Sequence, residues 1–102
     1  MRETILVVDD DLSIHTGIKM ALHSEGYLIT GVNNLDDAFI KIKRDSPHLV
    51  LLDVHFPEGS GLNLLDRLQT AGIEVPILLV SGAATAAEAV KGIKLGAYDY
   101  LE

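Results

Sequence analysis

The chain has no cysteine, no tryptophan, only 3 prolines, and only 8 lysines and arginines against 15 aspartates and glutamates in 102 residues. Each scarcity excludes something. Without cysteine there is neither a disulfide framework nor a thiolate metal site, which fits a reducing compartment. The formal net charge of -7 means that this segment lacks the clustered Lys and Arg that lead phosphate binding, so it is expected to make no direct nucleic-acid contact. No apolar stretch approaches the ~20 residues of a membrane span. The start Met1-Arg2-Glu3-Thr4 leads straight into an apolar run rather than a signal peptide. The expected setting is therefore the cytoplasm, with no membrane contact. At 48% hydrophobic content a chain of this length can bury one small core and no more.

What the chain does have is acid at the ends of apolar runs. Asp9, Asp10 and Asp11 follow Ile5-Leu6-Val7-Val8, and Asp53 follows Leu49-Val50-Leu51-Leu52. Short continuous runs of Val, Ile and Leu read as parallel strands buried on both faces, and open α/β sheets bind ligands just outside the carboxyl ends of such strands. If the two strands are neighbours, the carboxylates converge within several Å. Two unit charges about 4 Å apart at an effective dielectric of about 20 interact by roughly 4 kcal/mol, so the cluster needs a cation or raised pKa values to persist. An all-oxygen site suits Mg²⁺.

Strand and helix alternate along the chain. Leu12, Ile14, Ile18, Ala21 and Leu22 recur at helical spacing, and Gly26 closes that helix. Tyr27 to Val32 reads as a second strand. Asn33 and Asn34 cap a helix with Leu35, Ala38, Phe39 and Ile42 on one face, ended by Pro47. After the third strand, the turn formers Pro57-Glu58-Gly59-Ser60-Gly61 read as a loop before a helix presenting Leu62, Leu65 and Leu68. Ile77 to Val80 is strand four. Thr85 to Leu95 is a helix with Ala86, Val90 and Ile93 facing inward, and a last strand begins at Tyr98. Five strands with four intervening helices predict a doubly wound parallel α/β sheet.

The run Ile5 to Asp11, the block Leu51-Leu52-Asp53-Val54-His55-Phe56-Pro57 with Gly61 behind it, the pair Ser81-Gly82, and Gly96-Ala97-Tyr98-Asp99-Tyr100-Leu101 together resemble the receiver domain of bacterial two-component response regulators. The resemblance covers the whole chain in order. The stretch Ala89 to Glu102 is most similar to the nitrogen-regulator class of transcriptional activators. The resemblance implies a flavodoxin-like strand order 2-1-3-4-5. It implies Asp53 as phosphoryl acceptor, with Asp9, Asp10, Asp53 and the backbone carbonyl of His55 around Mg²⁺. It also implies Ser81 as the hydroxyl bonding a phosphoryl oxygen, Tyr100 as a switch aromatic, a sensor histidine kinase as phosphoryl donor, and a downstream output domain as effector. The chemistry is consistent with these roles, because a carboxylate can attack phosphorus and phosphoryl transfer is stabilised chiefly by positioning and a bridging metal.

Plainer readings stand beside these. Acids at a helix start are often caps, and Asp11 is read as one. A Ser-Gly dipeptide such as Ser81-Gly82 is ordinary turn chemistry, and Tyr98 and Tyr100 on a last strand are commonly packing residues. His15, His23, His48 and His55 have no zinc spacing and are read as surface residues. Two other functions compete. A haloacid-dehalogenase-type phosphohydrolase would use the two-apart pair Asp9 and Asp11 but gives Asp53 no nucleophilic role, and a phosphorylation-independent interaction module would not need the acids at all. The family also carries a lysine and a proline after the last strand, then a fifth helix, and neither is in this sequence. The chain is accordingly expected to be a truncated receiver. The sheet face beside the first helix should expose apolar side chains of the first and third strands and invite self-association or homodimer formation.

Overall fold

The computed structural model describes residues 3–80 and 86–101. Strand β1 (Thr4–Val8) leads to α1 (Leu12–Leu22) and a 3₁₀ turn (His23–Glu25), which Gly26 ends in the left-handed region at φ 81°. Then follow β2 (Leu28–Val32), α2 (Leu35–Asp45), β3 (Leu49–Leu52), the short pair β4 (His55–Phe56) and β5 (Gly59–Ser60), α3 (Leu62–Thr70), β6 (Ile77–Val80), α4 (Ala86–Lys94) and β7 (Asp99–Leu101). The five strands of the main sheet run β2-β1-β3-β6-β7, all neighbours parallel. Counting only these strands, this is the predicted order 2-1-3-4-5.

Alternation along the strands decides where the core sits. Leu6 and Val8 on β1, Val50 and Leu52 on β3, and Ile77 and Leu79 on β6 share one face and are buried. Over that face lie Leu35, Ala38 and Ile42 of α2 and Leu62, Leu64, Leu65 and Leu68 of α3. The apolar faces expected of α2 and α3 are thus the ones used. Arg67 ties the two helices on the outside, bonding Asp36 at 2.8 Å and lying 4.5 Å above the Phe39 ring.

Three features differ from the sequence reading. The Pro57 to Gly61 stretch is not plain loop, because β4 and β5 pair antiparallel in a two-residue ribbon, His55 with Ser60 and Phe56 with Gly59. Phe56 drives this, since burying its ring in the core folds the loop back. Helix α4 turns Val90 (54% exposed) and Ile93 (45%) outward. Its inner surface is Gly92, where a Cβ would lie 2.3 Å from Leu79 Cδ1, so close approach of the helix backbone outweighs the apolar stripe. Helix α1 likewise leaves Leu12, Ile14 and Met20 exposed, and His15 is the residue it buries.

The second sheet face is covered unevenly. Ile5 and Val7 of β1 are buried, contrary to the expectation that the first strand would be bare, and beside Val7 in the β1–β2 register lies Gly31, on which His15 of α1 packs. Leu49 and Leu51 of β3 and Leu78 and Val80 of β6 are only half-buried. Buried and exposed apolar positions should therefore respond differently to truncation. Leu52→Ala, in the centre of the core, should lower stability by about 2–5 kcal/mol, whereas Ile40→Ala on the outer side of α2 should stay within about 0.5 kcal/mol of the parent. Urea unfolding at constant m-value is the check, and equal losses at both positions would contradict this core assignment.

Candidate functional site

Val8 pairs with Leu52 across the β1–β3 ladder, so the next residue of each strand emerges at the same edge. The Asp53 amide continues the ladder by donating to the Val8 carbonyl at 3.0 Å. Asp9, Asp10 and Asp53 consequently meet, each offering a carboxylate oxygen, with these atoms all within 4.8 Å of one another. Asp11 turns away. It caps α1, accepting from the Ser13 amide at 2.9 Å and the Ser13 hydroxyl at 2.7 Å, and these bonds hold its pKa below the usual carboxylate value. Asp11 is the helix cap that its place at the helix start suggested, and it stands apart from the cluster of Asp9, Asp10 and Asp53.

The Asp9 carboxylate is buried, at 9% exposure for the residue, and accepts the Asp11 amide at 2.9 Å. Burial raises its pKa, the charges of Asp53 and Asp10 raise it further, and the Asp11 amide and His15 pull against the rise without cancelling it. Asp10 is exposed and Asp53 partly so, which leaves the cluster open to solvent and to an incoming group. Three mutually repelling carboxylates, one of them desolvated, form a donor set that fits a hard divalent cation.

The loop after β3 is held by several backbone contacts. His55 donates its amide toward Asp53 Oδ1 at 3.4 Å, and its ring nitrogen lies 3.3 Å from Glu88 on α4. The Gly61 amide donates to the Val54 carbonyl at 2.5 Å. A Cβ on Gly61 would sit 2.1 Å from the Asp53 carbonyl oxygen, so only glycine lets the ribbon close against Asp53. Glu58, at the ribbon tip, accepts the Leu35 amide at 3.0 Å and so ties the loop to the start of α2.

One residue read as a surface group belongs here. His15 is buried at 8% exposure and donates its Nε2–H to the Asp9 carbonyl at 2.8 Å. The sequence signal was available in part, because position 15 lies between Ile14 and Ile18 on an apolar helix. The necessary space comes from Gly31 on β2, and that pairing is tertiary. His23, His48 and His55 are exposed as expected. Ser81 lies outside the described residues. Tyr100 is on β7, but its side chain also lies outside them.

Two substitutions test this geometry. In the unfolded chain Asp9 titrates at its ordinary value and in the folded chain at a higher one, so the folded state holds the proton more strongly between the two. Stability then falls as pH rises through that window and stays lower above it. Asp9→Asn carries no charge at any pH, so it should raise the unfolding midpoint at pH 7, by about 4–8 °C for each ~1 kcal/mol of repulsion removed. The gain should vanish once the pH is below the carboxylate range. A pH-independent gain would refute the electrostatic cause. Gly61→Ala should destabilise by about 1–3 kcal/mol through overpacking against the Asp53 backbone, which thermal unfolding would register.

Comparison with known proteins agrees with the geometry. A family model described as the response regulator receiver domain matches residues 5–102. The nitrogen assimilation regulatory protein NtrX of Azorhizobium caulinodans is 37% identical over 105 residues, covering 100% of this chain and 23% of that protein. The chain spans less than half the length of the curated relatives it matches. Among solved structures, the signal receiver domain of a Luxo repressor protein from Vibrio parahaemolyticus superposes with a TM-score of 0.93 at 31% identity, covering 100% of this chain and 78% of that one. A response regulator from Burkholderia pseudomallei, crystallised with a phosphorylated aspartic acid and a calcium ion, gives 0.87 at 29% identity, covering 97% and 58%. Strand order, convergent acids, family match and relatives all agree, and the chain belongs to the response regulator receiver domains of two-component signal transduction.

Proposed function

We propose that Asp53 is the phosphoryl acceptor of this receiver and that Asp9, Asp10 and Asp53, with the backbone carbonyl of His55, hold Mg²⁺. The observation that carries the proposal is the convergence of three carboxylates at the carboxyl ends of β1 and β3, with Asp53 accessible beside the buried Asp9. The bound cation would neutralise charge on the phosphoryl oxygens and relieve the repulsion within the cluster. An Asp53 oxygen attacks phosphorus and forms the O–P bond. The P–N bond of a phosphohistidine on a partner sensor histidine kinase breaks, and the departing imidazole keeps the electron pair. Ser81 is assigned by resemblance to donate its hydroxyl to a phosphoryl oxygen, and Tyr100 to turn inward as the signal passes on.

The domain is thus a phosphoacceptor taking part in its own modification rather than an enzyme with a separate substrate. The relatives' greater length supports reading residues 1–102 as the receiver portion of a longer cytoplasmic regulator, with an output domain that controls transcription. Likeness to NtrX supports the nitrogen-regulator class. Among the described residues no helix is long and apolar enough to cross a membrane. The half-buried Leu49, Leu51, Leu78 and Val80 support self-association of this domain. A phosphohydrolase of the haloacid dehalogenase type is disfavoured, since Asp11 is spent on a helix cap.

Incubation with a small acyl phosphate and Mg²⁺, followed by mass mapping, tests the assignment. Label should appear on Asp53, and Asp53→Asn should abolish it while leaving the fold intact. Label on Asp9 or Asp11 would overturn the assignment, and none on the folded parent would favour a phosphorylation-independent module. Asp10→Asn should weaken Mg²⁺ binding more than Asp11→Asn, because Asp10 belongs to the cluster and Asp11 to the cap. Equal losses in a Mg²⁺ titration would refute that ranking.

A further inference from the structure

His15 is a buried imidazole that phosphoryl transfer does not use. Its Nε2 lies 2.8 Å from the Asp9 carbonyl oxygen. A carbonyl can only accept, so Nε2 is the donor and carries a proton. The other side of the ring lies against β2, where a Cβ on residue 31 would fall 2.1 Å from Nδ1 and 2.7 Å from Cε1. Gly31 is therefore the space in which this ring sits. A strand position filled by glycine gives up side-chain packing, and here the room is taken by a histidine from another element.

The bond matters because of what it holds. Asp9 donates its amide to the Val32 carbonyl of β2 at 3.2 Å, and its side chain accepts from the Asp11 amide at 2.9 Å. The His15 bond fixes the remaining polar group of the residue, its own carbonyl. With amide, carbonyl and carboxylate all held, the peptide linking Asp9 to Asp10 cannot swing, and the direction in which Asp10 leaves the strand is set. Asp10 and Asp9 contribute two of the three clustered carboxylates.

We propose that His15, seated on Gly31, is a positioning residue for the acidic pocket: by holding the Asp9 carbonyl it orients the Asp9–Asp10 pair toward the cation. This rests on the metal-site reading above. Groups that orient metal ligands from behind commonly change metal affinity by about 10–100-fold when removed. A bond to a ligand residue's backbone rather than to the ligand atom should sit near the lower bound.

Four chains and one probe, Mg²⁺ alone, decide the matter. His15→Leu removes the donor at similar bulk and should weaken Mg²⁺ binding by about 10-fold. His15→Gln places an amide donor where Nε2 was and should recover most of the affinity. Gly31→Ala leaves His15 in the sequence but displaces its ring, and should reproduce the His15→Leu defect. Urea midpoints, recorded for each chain, separate folding from affinity, and ¹⁵N spectra of the parent should show His15 with a proton on Nε2. Parent-like Mg²⁺ affinity in folded His15→Leu or Gly31→Ala would overturn the inference. So would a His15→Gln chain as defective as His15→Leu, or a parent His15 whose Nε2 carries no proton. A parent chain that binds no Mg²⁺ would overturn the metal-site reading itself, and the inference with it.

Discussion

Parallel pairing of β1 with β3, with Val8 beside Leu52, brings together carboxylates that repel one another. Hydrogen bonds along the ladder continue past the last apolar residues, through the Asp53 amide to the Val8 carbonyl. The acids are therefore held by the same bonds that hold the core. Moving either strand by one residue would invert which side chains face α2 and α3, and would bury charge or expose Leu6, Val50 and Leu52. The electrostatic cost is accepted at the edge because hydrophobic burial along the strands fixes the register.

The surroundings of the cluster are built to keep it compact without making it dry. Gly61 lets the β4–β5 ribbon fold against the Asp53 carbonyl, Phe56 anchors that ribbon in the core, and Glu58 fastens its tip to α2. Only Asp9 is buried, and it is the carboxylate whose proton affinity is raised by desolvation and by its neighbours. Asp10 and Asp53 keep access to solvent. A site with one buried and two accessible acids can bind a cation without being a closed structural centre, so it remains open to an incoming group. Local rules are broken at such places, and the rest of the domain supplies the compensation.

Much of this was legible beforehand because it is written in short-range pattern. Continuous apolar runs ending in acids marked β1 and β3, Gly26 and Asn34 marked helix ends, and the faces of α2 and α3 were read correctly. The errors share a cause. Val90 and Ile93 form an apolar stripe that the fold turns outward, since Gly92 allows the α4 backbone to press on Leu79 and Leu62. His15 looked like a surface group and is buried, because the space it fills lies on a strand 16 positions later, at Gly31. The β4–β5 pair was hidden in a stretch rich in turn formers. In the first two cases a contact between elements overruled the local period, and in the third the burial of Phe56 in the core folded the loop back on itself.

By itself the sequence determined the alternation of strand and helix, the strand order through its family resemblance, and which acids stand at strand ends, because these follow from periodicity and from residue types at fixed offsets. Only the tertiary structure decided which carboxylate is buried and which imidazole holds the backbone beneath the cluster. Those outcomes depend on distances across the sheet and between layers. A carboxylate's proton affinity and a histidine's bonding partner are set by whatever the fold brings within a few Å of them, and no one-dimensional spacing encodes that neighbourhood.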